Sequence, residues 1–169
     1  NNLNTISELN MLKNIEVILM RTVIQKVKCA KVSVDSKIIG EINHGFLVLL
    51  GITHDDNEKE VKWLANKIKD LRIFEDENQK MNLSLEDVKG EILIVSQFTL
   101  YGNCIKGRRP SFIDAARPEY AKELYLKFID EFKNFGIKTE VGEFGADMQV
   151  ELLNDGPVTM IIDTKDAKI

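Results

Sequence analysis

Near the C-terminus, the run Asn154-Asp155-Gly156-Pro157-Val158-Thr159 lies between two apolar stretches, residues 148–153 and 158–162. Proline has no N–H to give to a sheet ladder, so no regular central strand can run through Pro157. The dipeptide belongs in a turn or on a displayed loop tip. Glycine ahead of proline relieves the steric restriction that proline places on its predecessor. An X-Pro bond also reaches the cis form at a cost of only about 0.5–1 kcal/mol, which widens the backbone geometry open to this segment. On these residues alone, an ordinary hairpin turn and a functional tip both remain open.

The remaining pattern is that of one mixed α+β domain. Residues 22–34 hold Val23, Val27, Val32 and Val34, a strand pattern with a break near Cys29 and Ala30. A polar turn at Asp35-Ser36 leads to a short strand over residues 37–42. Residues 45–52 contain Phe46-Leu47-Val48-Leu49-Leu50, bounded by glycines, which suits a strand buried on both faces. Asp55 to Asn57 offer helix caps, with glutamates three residues beyond Asp55 and Asn57. Val61, Leu64, Ala65, Ile68 and Leu71 then recur at helical spacing. Residues 71–74 read as a strand, residues 76–89 as a loop, and residues 91–95 as an apolar strand. Pro118 suits the first turn of a second helix, whose stripe is Ala121, Leu124, Phe128, Phe132 and Phe135, with Gly136 as its stop. Three strands follow, over residues 137–141, 148–153 and 158–163. Several strands, a helix, strands, a helix and strands define a mixed sheet architecture rather than a regular alternation.

At 169 residues the chain is long enough for a real core. No apolar run approaches the roughly 20 residues of a membrane span, and the first ten residues lack signal-peptide features. The expected compartment is the cytoplasm, with Cys29 and Cys104 as free thiols. Residues 1–19 are Asn-rich and lack turn chemistry leading into the fold. They read as an extension, a vector-derived addition or a misassigned start, with the domain proper over residues 20–169. A net charge of −4 argues against bulk nucleic-acid binding. It leaves room for one local basic loop, Lys106-Gly107-Arg108-Arg109, either solvated or phosphate-contacting.

Ser96, Gln97 and Thr99 cluster at a strand end, where folds display functional groups. In a regular strand Ser96 and Thr99 face opposite sides, so a shared site needs a bend near Phe98. A hydroxyl nucleophile also needs a base. The only histidines, His44 and His54, sit beside surface turns, and no Gly-x-Ser-x-Gly elbow is present. No metal-ligand spacing or phosphate-binding glycine loop is evident, so no metal and no cofactor are expected. His54-Asp55-Asp56 reads as helix capping. Without a side-chain base, ester hydrolysis can still proceed if the substrate supplies a hydroxyl and the protein supplies orientation and backbone hydrogen bonds.

Ser96-Gln97-Phe98-Thr99-Leu100 together with residues 154–159 closely resembles the D-aminoacyl-tRNA deacylases, also called D-tyrosyl-tRNA(Tyr) deacylases. The opening from Met20, with Val23-Ile24-Gln25 and Val27, is similar to that family's N-terminus. So are Lys106-Gly107-Arg108-Arg109-Pro110-Ser111-Phe112 and Phe144-Gly145-Ala146-Asp147-Met148. The resemblance covers roughly Met20 to the C-terminus and implies the family's fold and a homodimer with active sites at the subunit interface. It implies a cis Gly156–Pro157 bond whose loop enters the partner's site and excludes L-aminoacyl side chains by clash. Asn154, Val158, Thr159, Met148 and Phe144 are then expected around the substrate. Ser96, Gln97, Phe98 and Thr99 line the catalytic pocket, with amides of Phe98 and Thr99 at the ester. Thr99 matches a threonine sometimes assigned as nucleophile, while the absence of a base favours the ribose 2′-hydroxyl of the tRNA. Lys26, Lys106, Arg108 and Arg109 are the expected tRNA contacts. Lys26 stands where many relatives carry arginine, so a bidentate role there is in doubt. The implied activity is hydrolysis of D-aminoacyl-tRNA, and of glycine mischarged on tRNA(Ala).

Two other classes stay open on the sequence. A Ser/Thr hydrolase of small esters would use Thr99 or Ser96 without RNA. A non-catalytic RNA-binding scaffold would show no turnover.

Overall fold

The computed structural model describes residues 19–167. The expected extension, apart from Leu19, lies outside the described residues.

The sheet is organised by β1 (Arg21–Val34). Asp35 and Ser36, with φ of 49° and 64°, form the two-residue turn that folds the chain back. Positive φ at both positions is what a tight hairpin between twisted strands requires. The returning chain runs along one edge of β1 as β2 (Lys37–Ile42) and then β3 (Gly45–Gly51), both antiparallel to it. The partner changes at residues 28 and 29, where the break was expected. The opposite edge of β1 pairs with β8 (Gln149–Asp163).

Beyond β3 the sheet becomes parallel, with β6 (Glu91–Ser96) beside β3 and β7 (Thr139–Val141) beside β6. Parallel neighbours need crossovers. The first contains α1 (Glu58–Asp70) and the second α2 (Pro118–Asn134). Asn57 caps α1 in a reciprocal box with Glu60, and Pro118 opens α2. A small hairpin of β4 (Phe74–Glu75) and β5 (Met81–Leu83) covers one end.

Both helices lay their apolar stripes on one face of the sheet. Leu64 and Ile68 of α1 and Phe128 and Phe132 of α2 pack over Ile24, Phe46, Val48, Ile92 and Ile94. Phe128 is fully buried, so its truncation to alanine is expected to cost about 3–5 kcal/mol. On the other face, Val27, Ala30, Val32 and Ile42 close over Leu47, Leu93 and Val95. This double cover explains the unbroken apolar run of β3. Gly45 marks its entry, because a Cβ there would stand 1.8 Å from the Glu91 carbonyl oxygen.

Four expectations are corrected. Residues 148–153 and 158–163 are not two separate strands; both belong to β8 and pair with β1. The strand expected at residues 71–74 is β4, which starts only at Phe74. The stretch read as a loop contains β5. The strand expected from residue 137 begins at Thr139. Among the described residues no helix is long and apolar enough to cross a membrane.

Candidate functional site

The end of β6 forms one wall of a cavity of about 400 Å³, within the range that small ligands occupy. The Gln97 amide still donates to the Leu50 carbonyl at 2.8 Å. Gln97 then turns away, and residues Phe98–Tyr101 form a single 3-10 turn. This is the bend that a shared site needs. Ser96, Gln97 and Phe98 line the cavity, over a floor of Leu50 and Ile52. Phe98 is 58% exposed and meets Phe112 edge-to-face at the mouth, with ring centroids 5.2 Å apart. Ala115, Ala116, Arg117 and Pro118 lead into α2 and form the facing wall, closed by Phe144 and Gly145. Phe144 in turn leans on Tyr125 at 5.6 Å.

Thr99 is exposed on the turn and does not line the cavity. Its hydroxyl accepts a hydrogen bond from the Gln97 side-chain amide. An amide N–H gives a proton and cannot take one, so this contact does not activate a nucleophile. Neither histidine is a base for it. The Nε2 of His54 lies 2.7 Å from the Ile113 carbonyl, and His44 rests edge-on against Phe74 at 4.9 Å.

Gly156 and Pro157 are exposed and line no part of this cavity. Gln25 pairs with Thr159 and Val27 with Asn154, so residues 155–158 stand opposite Lys26 alone and bulge from the sheet. The Gly156–Pro157 peptide bond is cis, and Gly156 has φ +122°. A Cβ at Gly156 would lie 2.7 Å from Val158 Cγ2. The side-chain amide of Asn154 ties the base of the bulge, donating to the carbonyls of Lys26 and Val158 at 3.0 Å each. Val158 is 8% exposed and belongs to the helix-side core. Thr159 is exposed, and its hydroxyl accepts from Gln25 at 3.4 Å. Met148 packs beside the second core cluster, against Gly142.

Lys26, expected among the tRNA contacts, is only 6% exposed. Its Nζ lies 3.7 Å from Asp155 and 6.0 Å from the Phe74 ring centroid, behind the bulge. Lys106, Arg108 and Arg109 are exposed on a loop whose neck is closed by paired hydrogen bonds between Asn103 and Ser111. The sequence reading also missed Arg117, Ala115 and Ala116 as cavity residues. Their only signal was position, directly before the proline that starts α2.

Asp56 is not a helix cap. It is 1% exposed, and its Oδ2 accepts from the Thr53 amide at 2.7 Å. Burial pushes its pKa up to about 7. Thr53 carries the cavity wall, through a hydroxyl donated to the Asp114 carbonyl and a bridge to Ala115.

A strand-end cavity and a strand bulge, set on a mixed sheet backed by two helices, are the features by which the chain can be compared with known proteins. The sequence pattern of the family described as D-Tyr-tRNA(Tyr) deacylase matches residues 23–163. A D-aminoacyl-tRNA deacylase of Fusobacterium nucleatum subsp. nucleatum is 78% identical over 150 residues, covering 89% of this chain and 99% of that protein. One from Thermosipho africanus is 61% identical over 146 residues, covering 86% of this chain and 98% of that protein. A solved structure of a c-Myc DNA Unwinding Element Binding Protein has a TM-score of 0.79 at 40% identity, covering 84% of this chain and 97% of that one. The chain belongs to the D-Tyr-tRNA(Tyr) deacylase family.

Proposed function

We propose that this protein hydrolyses the ester between a D-amino acid and the 3′ end of tRNA, releasing free D-amino acid and tRNA. Membership of the family supports the reaction. The observation that carries the mechanism is the hydroxyl of Thr99, which faces an amide donor and no base. Chemistry therefore rests with the substrate: the terminal ribose 2′-hydroxyl, adjacent to the ester, assists its hydrolysis. The protein supplies position. Phe98 and Phe112 offer an aromatic mouth for the terminal base, and the free amides at the start of the 3-10 turn, Phe98 and Thr99, hold the ester.

Chirality is read by the bulge on β8. In a homodimer, the carbonyls of Gly156 and Pro157 from one copy enter the cavity of the other and leave no room for an L side chain. A D-residue or glycine passes, so glycine mischarged on tRNA(Ala) is also a substrate. Asn154 and Lys26 hold the bulge, and Lys106, Arg108 and Arg109 meet the tRNA backbone in the cytoplasm.

The test is deacylation of D-tyrosyl-tRNA beside L-tyrosyl-tRNA, and beside a D-ester on tRNA ending in 2′-deoxyadenosine. The expected result is fast loss of the D-ester only. The deoxy substrate is expected to lose on the order of 10²–10⁴-fold in rate, the usual value of a positioned proton-transfer group. Equal turnover of D- and L-esters would reject the filter while keeping the hydrolase. Full activity on the deoxy substrate would reject the 2′-hydroxyl and return Thr99 to the centre.

A further inference from the structure

Asp56 has one carboxylate oxygen satisfied by Thr53, but its Oδ1 is buried with no hydrogen-bond partner. The Oγ1 of Thr164, also fully buried, is likewise without a partner. Both groups flank the same residue. The Thr164 amide donates to the Met20 carbonyl at 2.9 Å, and the Met20 amide lies close enough to the Asp56 carboxylate to ease its ionisation. A third polar atom borders the spot. Tyr101 is 3% exposed and donates its hydroxyl to the Leu19 carbonyl, the group bonded to the Met20 nitrogen; the Gly51 carbonyl is 3.5 Å away as a second acceptor.

The charged groups acting on Asp56 are acidic, and the nearby cation, Arg21, is already engaged. Glu60 and Asp163 both act on Asp56 to disfavour its ionisation. Arg21 is engaged by Asp163 at 2.8 Å and by the Leu100 carbonyl at 3.0 Å. The Tyr120 hydroxyl donates to the Asp56 backbone carbonyl rather than to its side chain. A buried carboxylate with an open oxygen among other acids is costly unless a cation with its own donors meets it. The Asp56 carboxylate lies near the Met20 amide, the Tyr101 hydroxyl meets the carbonyl bonded to that nitrogen, Thr164 pairs with the Met20 carbonyl, and the Met20 side chain is itself fully buried.

We propose that this pocket is a seat for an α-ammonium group, filled when the chain begins at Met20. An ammonium has three N–H donors, and three acceptors wait for them: Asp56 Oδ1, Thr164 Oγ1 and the Tyr101 oxygen, whose hydrogen turns to Gly51. In the present chain the Met20 peptide brings one N–H and no charge to the same place. Because Asp56 holds Thr53, and Thr53 holds the Asp114–Ala115 wall, the seated terminus braces the cavity. The inference does not depend on the reaction proposed above.

The test compares the full chain with a chain starting at Met20, each with and without D56N. A chain of that length is a whole protein in this family, since the 150 residues matched in the Fusobacterium relative are 99% of it. Competitive acylation of the α-amine against pH, read by mass spectrometry, is measured alongside thermal melting. In the Met20-start chain the α-amine is expected to titrate about one unit above its ordinary 7.7–8.0, and so to react about tenfold more slowly at neutral pH. D56N is expected to restore ordinary reactivity and lower Tm in that chain, yet to leave unchanged or raise the Tm of the full chain. An α-amine with ordinary titration would overturn the proposal. So would D56N acting alike on both chains, or a Met20-start chain that does not fold where the full chain does.

Discussion

At the end of β6, Ser96, Gln97 and Phe98 border a cavity whose floor and facing wall come from the same chain. On β8, Gly156 and Pro157 stand out from the sheet with no cavity wall of their own. The two motifs carry equal weight in the sequence, yet one is a receptor and the other a projection. The receptor is built by a strand that gives way to a 3-10 turn just past Ser96. The projection is built by a strand that keeps its pairing on both sides of four residues set against one. A projection of rigid backbone, pinned by Asn154 and Lys26, is suited to excluding a shape rather than binding one. That contrast is the physical ground for assigning catalysis to the first region and chirality to the second.

The assignment breaks first at the cavity mouth. Phe98 is 58% exposed, so Phe98→Ala leaves the core intact. If a base stacks there, kcat/KM for the D-ester is expected to fall by roughly 10–100-fold, since base–aromatic stacking is worth about 1–3 kcal/mol. Tm is expected to hold, and the D/L ratio with it. A changed ratio would move chirality into the cavity and erase the contrast between the regions.

The next largest effect is expected on the bulge. Gly156→Ala meets a positive φ and a Val158 methyl at 2.7 Å, so the projection must shift. Discrimination against L-tyrosyl-tRNA is expected to weaken about tenfold, or about 1.4 kcal/mol, while turnover of the D-ester changes less. The measurement is paired deacylation with a melting curve. A folded variant that spared the L-ester as completely as before would refute the filter.

A smaller and uniform effect is expected from the basic loop. Replacing Lys106, Arg108 and Arg109 by alanine removes three phosphate contacts at most. The slope of log KM against log salt is expected to drop by about two, at roughly 0.7 per contact with single-stranded nucleic acid. D- and glycyl-esters should be affected alike. If the triple variant kept the full slope, the loop would be the plain solvated turn that its composition also allows.

How much of this was legible in the sequence depended on whether the signal was local. The Phe46–Leu50 run, the Asn57–Glu60 box and Pro118 each state their structure within a few residues, and each was read correctly. At the bulge the residues left a hairpin turn and a functional tip both open, because Gly-Pro between two apolar runs says only that the strand is interrupted. That both runs return to β1 is decided more than a hundred residues away. Lys26 shows a signal that was present and passed over. It falls on the same strand face as Thr22 and Ile24, both fully buried, so period two already pointed it inward. Asp56 could not be read at all, because an aspartate before a helix has the same sequence appearance whether it caps or is buried.

The last prediction uses Asp56 to separate the two regions by pH. Its carboxyl has an ordinary value of 3.8 in the unfolded chain and is held up at about 7 by burial in the folded one, helped by Glu60 and Asp163. Between these values the native state binds the extra proton, so stability contributed by Asp56 is present below pH 4 and is lost as pH rises toward 7. The slope approaches about 1.4 kcal/mol per pH unit between the two values and vanishes above the upper one. In the full chain, D56N is expected to remove that slope, as read by urea midpoints from pH 4 to 8. Asp56 reaches the cavity wall through Thr53, and its backbone carbonyl accepts from Tyr120 of α2, whereas Gly156 and Pro157 of the bulge line no part of that cavity. Raising pH through 7 is therefore expected to loosen the receptor, lifting KM, while the D/L ratio stays fixed. A ratio that moved with the titration of Asp56 would mean that cavity and bulge are one mechanical unit, and that the division between a binding region and a filtering region does not hold.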